Sequence, residues 1–470
     1  MRSTLHSCKL LVAALAVALA GCAVGPDYRR PSTPDISAFK EAEGWLPAAP
    51  ADALERGPWW SLFGDPVLDQ LAGRVEVSNQ NVAAAVAAYA QARAVVREQR
   101  ASLLPTVTLN GGANRSHSSA SSGSSSGRTG NSYQLSMGGS WEPDVWGRLG
   151  RAVDSASASA QASAADLASA QLSAQGEVAV NYLTLRQIDA QKALLESTLT
   201  GFQRSLEITQ NRYTAGIAAR TDVLQAQTQL ANARADDAGL VRQRAQLEHA
   251  LAVLVGEAPA DFALPRQGWK PTVPEIPPGI PSTLLQRRPD IAAAERSVAV
   301  ANEQIGIARS AYYPSLSLGA SYGSGTSRVA DLFSASSSVW SLGLSAANVL
   351  FNAGATTARV ENSEAGHVRA VARYRQTVLT AFQGVEDQLA ATRVLLIQQD
   401  FRRQAVEAAG QVEQQVLNRY RSGQVSFTEV IIAQATALSA RRALVQAIAD
   451  RQTTAVALIQ SLGGGWQARQ

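Results

Sequence analysis

Asn211–Gln227 reads NRYTAGIAARTDVLQAQ, and 207 residues further on Asn418–Gln434 reads NRYRSGQVSFTEVIIAQ. Asn, Arg, Tyr, Gly, Thr, Val, Ala and Gln recur in register, and Asp222 is answered by Glu429. Each stretch is a glycine-centred turn between two helix-forming runs. The same turn carried twice, half a chain apart, points to a duplicated plan.

The flanks repeat as well. Before each turn lies a run with neither proline nor a clear break, from about Arg148 to Tyr213 and from about Thr356 to Tyr420. At ~1.5 Å per residue such a helix reaches on the order of 95 Å. A shorter helix follows each turn, about Thr221–Val255 and Thr428–Leu462. Apolar residues return every seventh position in both, at Leu240, Leu247 and Leu254 and at Ile431, Leu438 and Val445. A sustained heptad predicts coiled-coil packing.

Upstream of each long helix the period changes from helical to two. LLPTVTLN (Leu103–Asn110) corresponds to YYPSLSLG (Tyr312–Gly319), each following a helical segment that a proline ends. Val107 and Leu109 alternate with Thr; Leu316, Leu318, Ala320 and Tyr322 alternate with Ser and Gly. After a Gly/Ser-rich tract, His117–Asn131 or Gly323–Ser338, each half has a second strand. Tyr133, Leu135, Met137, Gly139 and Trp141 share one face there, as do Trp340, Leu342, Leu344 and Ala346. The tracts read as mobile loops. Four strands of about nine to eleven residues, apolar on one face and small or polar on the other, match a membrane barrel.

Four strands cannot close a barrel, since about eight is the smallest single-chain number. An open edge in lipid leaves backbone groups unpaired at several kcal/mol each. The barrel is therefore shared between chains: two would supply eight strands and three would supply twelve. The residues alone do not choose.

The chain begins with an address. Arg2 and Lys9 precede the apolar run Leu10–Ala20, which is of secretory length and short for a spanning helix. The ending LAGC (Leu19–Cys22) resembles a bacterial lipobox, with cleavage ahead of Cys22 and acylation of its thiol and freed amine. Ala23 stands where an inner-membrane retention signal has Asp, which favours outer-membrane sorting. Several acyl chains anchor a protein without any transmembrane helix. The prolines of Val24–Pro58 exclude a long helix there and predict a segment running along the folded body.

Composition narrows the function. Of 470 residues only 17% are charged and 6% aromatic, and 42 basic against 38 acidic residues leave a net charge of +4. That is too small, and too evenly spread, to argue for nucleic acid. The two cysteines, Cys8 and Cys22, both lie at the N-terminus, so no disulfide framework is expected. His6, His117, His249 and His367 are scattered, and no P-loop or GxSxG motif occurs. No catalytic residue, cofactor or metal site is predicted, and the chain does not read as an enzyme.

These features together resemble the TolC-like outer-membrane factor family, in its NodT or OprM-type efflux lipoproteins. AGCAVGPDYRRP after the leader, LPTVTLNGG, RRPDIAAAE at Arg287–Glu295, YPSLSLGAS, NAG at Asn352–Gly354 and the twin NRY turns carry the resemblance over essentially the whole chain. It implies a mixed α and β membrane protein. A homotrimer would form a twelve-stranded outer-membrane barrel and an α-helical periplasmic tunnel, with a periplasmic adaptor and an inner-membrane pump as partners. It makes the NRY turns hairpin tips in the periplasm: Tyr213, Gly216 and Asp222 in one, Tyr420, Gly423 and Glu429 in the other. Thr221-Asp222 and Thr428-Glu429 then begin the return helices, an acid sitting where the helix dipole favours it. Relatives often carry an aspartate nine residues after the second tip glycine; here that position is Ile432, with Gln225 as its counterpart. An apolar constriction at Ile432 replaces the acidic gate in this reading.

The plan read from the sequence is a leader over 1–21, a Pro-rich segment over 22–64, a first repeat over 65–260, a linker over 261–288, a second repeat over 289–462 and a tail over 463–470. Within the repeats, β-hairpins are placed at about 105–145 and 314–350, and helical hairpins at 148–255 and 356–462. The expected function is a passive duct exporting drugs or other small solutes from the periplasm. The alternatives are a conduit for protein secretion and a non-conducting surface lipoprotein with a coiled-coil stalk. Substrate identity lies beyond the sequence.

Overall fold

Four antiparallel strands form one sheet in the order β1-β2-β3-β4, with β1 and β4 at its edges. They are β1 (Thr106–Ser118), β2 (Arg128–Trp141), β3 (Ser315–Thr326) and β4 (Ser338–Ala347). The computed structural model describes residues 24–33, 38–42, 58–118, 128–276 and 288–464. The helices are α1 (Pro66–Ser78), α2 (Gln80–Ala101), α3 (Arg148–Thr214), α4 (Arg220–Leu254), α5 (Pro289–Ser310), α6 (Ala355–Arg421) and α7 (Phe427–Ser461). The expected mixture of strands and long helices is what the chain forms. Among the described residues no helix is long and apolar enough to cross a membrane.

Helices come in pairs of equal length: α2 and α5 have 22 residues each, α3 and α6 have 67, and α4 and α7 have 35. Three of the four strands exceed the expected span, with 13, 14 and 12 residues in β1, β2 and β3. The serine and glycine tracts therefore do not begin where loops begin. His117 and Ser118 still pair with Thr129 and Arg128, and β3 runs on to Thr326. Backbone ladder bonds need no apolar side chain, so a polar tract can extend a sheet once pairing is under way. Residues 119–127 lie outside the described residues.

The chain divides into two compact units. The first contains residues up to Ser32, Ala88–Ser163 and Ala293–Tyr374, and so holds the sheet. Here Trp146 stacks on Tyr313 with ring centres 4.8 Å apart, and its Nε1–H donates to the Pro314 carbonyl at 2.7 Å. Asp144 accepts from the backbone N–H groups of Leu149 and Gly150 at 3.0 and 2.6 Å. Those are orphan donors of the first turn of α3, which the carboxylate satisfies.

The second unit contains Thr33–Ala87, Ala164–Ala292 and the chain from Arg375 on. Its core includes a coiled-coil seam. Ile188, Leu195 and Phe202 of α3 are buried at seven-residue spacing against Leu230, Ala233 and Leu240 of α4. Leu247 and Leu438 pack on that cluster, so the heptad leucines lie where their period predicts. Asp65 caps α1 by accepting from Val67 N–H at 3.0 Å, with Pro66 as the first helical residue. Leu68, Leu71, Ala72 and Val75 then form one buried stripe of that helix.

Candidate functional site: an apolar sheet face and two hairpin tips

The sheet brings its apolar residues into cross-strand register. Leu109 lies opposite Met137, Met137 opposite Tyr322, and Tyr322 opposite Trp340. Val107, Gly139, Ala320 and Leu342 form the next row, and Trp141, Leu318 and Leu344 the one after. Because side chains alternate at a period of two, these rows share one face. Leu109, Met137, Tyr322, Trp340, Leu342 and Leu344 are nevertheless exposed. The other face is hydroxylic: Ser317 bonds Ser345 at 2.7 Å, and Ser321 bonds Ser341 at 2.8 Å. An exposed apolar face with a small, polar reverse suits a sheet whose outer solvent is lipid.

Among the described residues, β1 and β4 each leave one strand edge unpaired. In lipid such edges require a partner.

The N-terminal segment is tied into the same unit. Val24 N–H donates to the Trp146 carbonyl at 3.1 Å. Arg151 and Asn302 both donate to the Pro26 carbonyl, at 3.2 and 3.0 Å, and Arg151 pairs with Glu303 at 2.7 Å. Tyr28 donates to Glu295, and Arg30 reaches the Tyr374 hydroxyl at 3.3 Å. Burial, then the Glu295 carboxylate, pushes the Tyr28 phenol well above its ordinary range. Gly25, at φ 120°, lies against Gly306, and a side chain at Gly306 would overlap Arg151. The VGPDYR and AAAE motifs are therefore the two sides of one strap. Cys22, two residues before Val24, lies outside the described residues.

In the second unit the two NRY turns have the same backbone. Ile217 N–H bonds the Arg212 carbonyl (2.8 Å) and Gly216 N–H bonds that of Tyr213 (2.9 Å). In the other turn Gln424 N–H bonds Arg419 (2.9 Å) and Gly423 N–H bonds Tyr420 (3.0 Å). This is the Schellman helix ending, which needs a left-handed residue. Gly216 and Gly423 supply it, both at φ 73°. The return helices start one residue earlier than expected, at Arg220 and Phe427, which makes Asp222 and Glu429 their third residues. Glu429 Oε1 lies 3.5 Å from the backbone nitrogen of the N-cap Ser426, half of a capping box. In the first turn the N-cap is Ala219, which has no side-chain acceptor.

Their side chains differ. Tyr420 is 5% exposed and Tyr213 is 45% exposed. Tyr420 sits in an apolar cluster with Ala226, Phe427 and Val430, its ring centre 5.4 Å from that of Phe427. Arg212 covers the ring at 4.7 Å and donates to the Tyr420 carbonyl at 2.8 Å. The two tips thus touch each other through Arg212 and Tyr420. Ile432, directly after Ile431 that packs on the cluster, is 60% exposed on α7. Arg212 and Phe427 were not singled out from the sequence. The signal for Phe427 was available, because it replaces Arg220 at the equivalent position.

The sequence profile of the outer membrane efflux protein family matches the chain twice, over residues 71–257 and 280–464. A probable efflux pump outer membrane protein, TtgC of Pseudomonas putida, is 34% identical over 463 residues, covering 97% of this chain and 95% of the relative. The outer membrane protein OprJ of Pseudomonas aeruginosa is 31% identical over 457 residues, 96% and 95% of the two chains. The pyoverdine export outer membrane protein OpmQ of the same species is 32% identical over 431 residues, 90% of each. Among solved structures, the outer-membrane channel OprN superposes with a TM-score of 0.87 at 30% identity, over 95% of this chain and 100% of that one. The open state of the MtrE channel of Neisseria gonorrhoeae gives 0.81 at 27%, over 95% and 99%.

Proposed function

The chain belongs to the outer membrane efflux protein family, and from that premise we propose that three copies join their sheets into one twelve-stranded duct through the outer membrane. It is an outer-membrane component of an efflux system, like the relatives it matches along almost its full length. The observation that carries the duct is the four-stranded sheet with one exposed apolar face and two unpaired edges. β4 of one copy would pair with β1 of the next, and cyclic repetition would leave no edge in lipid. Two copies would supply eight strands; the family resemblance favours three.

The equal helix lengths and the double match of the family profile support an internal two-fold repeat, over about 65–260 and 289–462. The tips formed by Tyr213, Gly216, Asp222 and by Tyr420, Gly423, Glu429 would face a periplasmic adaptor. An inner-membrane pump would supply the energy. Relatives are named for toluene and for pyoverdine, which have little chemistry in common. A duct wall that selects weakly fits that range, so the substrate class proposed is small solutes chosen upstream. Cys22 would carry the lipid anchor. The tie of Val24 to Trp146, beside the stacked Tyr313, fits an anchor at an interfacial aromatic belt.

Purified protein in a planar bilayer tests the duct. Conducting trimers are expected, and monomers that never conduct would remove the reading. Labelling with palmitate tests the anchor separately: Cys22→Ser should abolish incorporation, and continued labelling rules out Cys22.

A further inference from the structure

The apolar face of the sheet does not end at its last apolar row. Beyond Leu109 the same side of β1 continues through Gly111, Ala113, Arg115 and His117, at the period of two that strands impose. Register places Asn131 of β2 opposite Arg115 and Thr129 opposite His117. All four residues are exposed. The His117 Nδ1 and the Thr129 hydroxyl lie 2.8 Å apart. Among the described residues, no hydrogen bond or ion pair engages Arg115.

Charge in the sheet is confined to this end. None of the four strands contains an acidic residue, and their only Lys or Arg residues are Arg115 and Arg128, both near the turn between β1 and β2. In the connection from β3 to β4, Arg328 is balanced by Asp331.

Strand pitch gives the depth of Arg115. The row Leu316–Ala346 opens the apolar face, and the row Ala113–Tyr133–Thr326 closes it. From Leu316 to Thr326 the strand advances ~33 Å, or roughly 25 Å along the membrane normal at a tilt of about 40°. The apolar band of an outer-membrane barrel has about that height, with aromatic residues at its borders. Tyr133 stands at the border next to Arg115. Arg115 itself lies two residues past Ala113, ~5 Å further out, at the level of the lipid headgroups.

We propose that Arg115, with Asn131 beside it and His117 and Thr129 one row further out, holds the phosphate of an outer-leaflet lipid headgroup. This rests on the duct proposed above, which turns this face to lipid. A guanidinium offers paired N–H donors that match a phosphate, and the Asn131 amide and Thr129 hydroxyl add neutral donors. Continuity with the apolar face and the absence of a counter-charge in the strands select a lipid as the occupant. A protein partner would have to reach Arg115 through the headgroup layer. One site per copy would fix the depth at which the barrel sits in the bilayer.

Native mass spectrometry of the delipidated trimer tests this, with diphosphoryl lipid A and the same lipid dephosphorylated as probes. The parent should bind the phosphorylated form about fivefold more tightly, the worth of one arginine at an anionic surface. Arg115→Ala should lose that preference while staying trimeric and conducting, and Arg115→Lys should keep part of it. Equal binding of the two lipids by the parent, or an unchanged preference in Arg115→Ala, overturns the site and leaves the duct standing. Displacement of the lipid by inorganic phosphate would reveal a site for free anions and overturn the lipid as its occupant. A shifted reversal potential in Arg115→Glu would put this face in the lumen and overturn both readings.

Discussion

Arg186 and Asp189 sit one turn apart on α3 and form an ion pair of 3.1 Å with only 1% and 4% of their side chains exposed. The pair is the middle of a longer network. Arg186 also donates to the Tyr182 hydroxyl (3.0 Å) and to the Pro265 carbonyl (2.9 Å). Tyr182 in turn donates to Asp65 at 2.7 Å. On the other side Arg244 donates to Asp189 (2.8 Å), to Glu248 (3.0 Å) and to the Leu264 carbonyl (2.6 Å). The network ties the chain after α4 and the cap of α1 to the long helix.

Removing one member of a buried pair strands the other charge, at a cost of about 3–5 kcal/mol. Arg186→Met should therefore lower the thermal midpoint sharply by circular dichroism. Arg403→Met, which breaks a pair with both side chains more than half exposed, should cost ~0–1 kcal/mol. Comparable losses from the two would show that burial does not set the difference.

Alkaline pH should destabilise this unit. Burial raises the Tyr182 phenol well above its ordinary 10.0, with Arg186 opposing and Asp65 adding to the shift. Burial lowers Lys192, but the carboxylates of Asp237 and Glu196 more than offset it and leave it above 10.5. Both groups bind their proton more tightly folded than unfolded. Their stabilisation is thus complete below about pH 10 and is lost as pH rises through the folded values. Melting temperature against pH should fall above pH 10, and Tyr182→Phe should flatten the fall. An unchanged slope in that variant would exclude Tyr182 as a source.

Alternation on β4 separates an apolar face from a hydroxylic one, which the proposed duct turns to lipid and to lumen. Leu342, in the apolar row with Ala320, should not tolerate a charge, whereas Ser341 on the hydroxylic face should. Arginine on a lipid face costs about 2–4 kcal/mol at the bilayer midplane. Leu342→Arg should reduce assembled protein in outer-membrane fractions far more than Ser341→Arg. The reverse order would invert the assigned faces.

Ile432 is the proposed apolar constriction, and it is exposed in the single chain. Ile432→Asp should change single-channel conductance and its dependence on cation valence. Conductance indistinguishable from the parent would place any gate elsewhere.

The local rules were legible in the sequence because they act over short distances. Proline ended the helices before the strands, glycine marked both tip turns, and a seven-residue period marked the seam of Leu240 and Leu247. Each of these depends on φ, on a missing N–H or on helix pitch, all of which a short window contains. The loop assignment of His117–Asn131 failed at its ends for a complementary reason. Ladder hydrogen bonds between His117 and Thr129 depend on a partner strand, which composition does not reveal.

What the sequence by itself determined is therefore the repeated order of strand, long helix, turn and return helix. Only the tertiary structure decided which copies of a repeated residue are used. Tyr213 and Tyr420 are the same residue in the same turn, yet one is covered by Arg212 and Phe427 and the other is open. Likewise Arg186 and Arg244 are two of many arginines until Asp189 is brought between them. Periodicity is a property of neighbours along the chain. Burial and pairing are properties of neighbours in space, and the two NRY turns share the first and not the second.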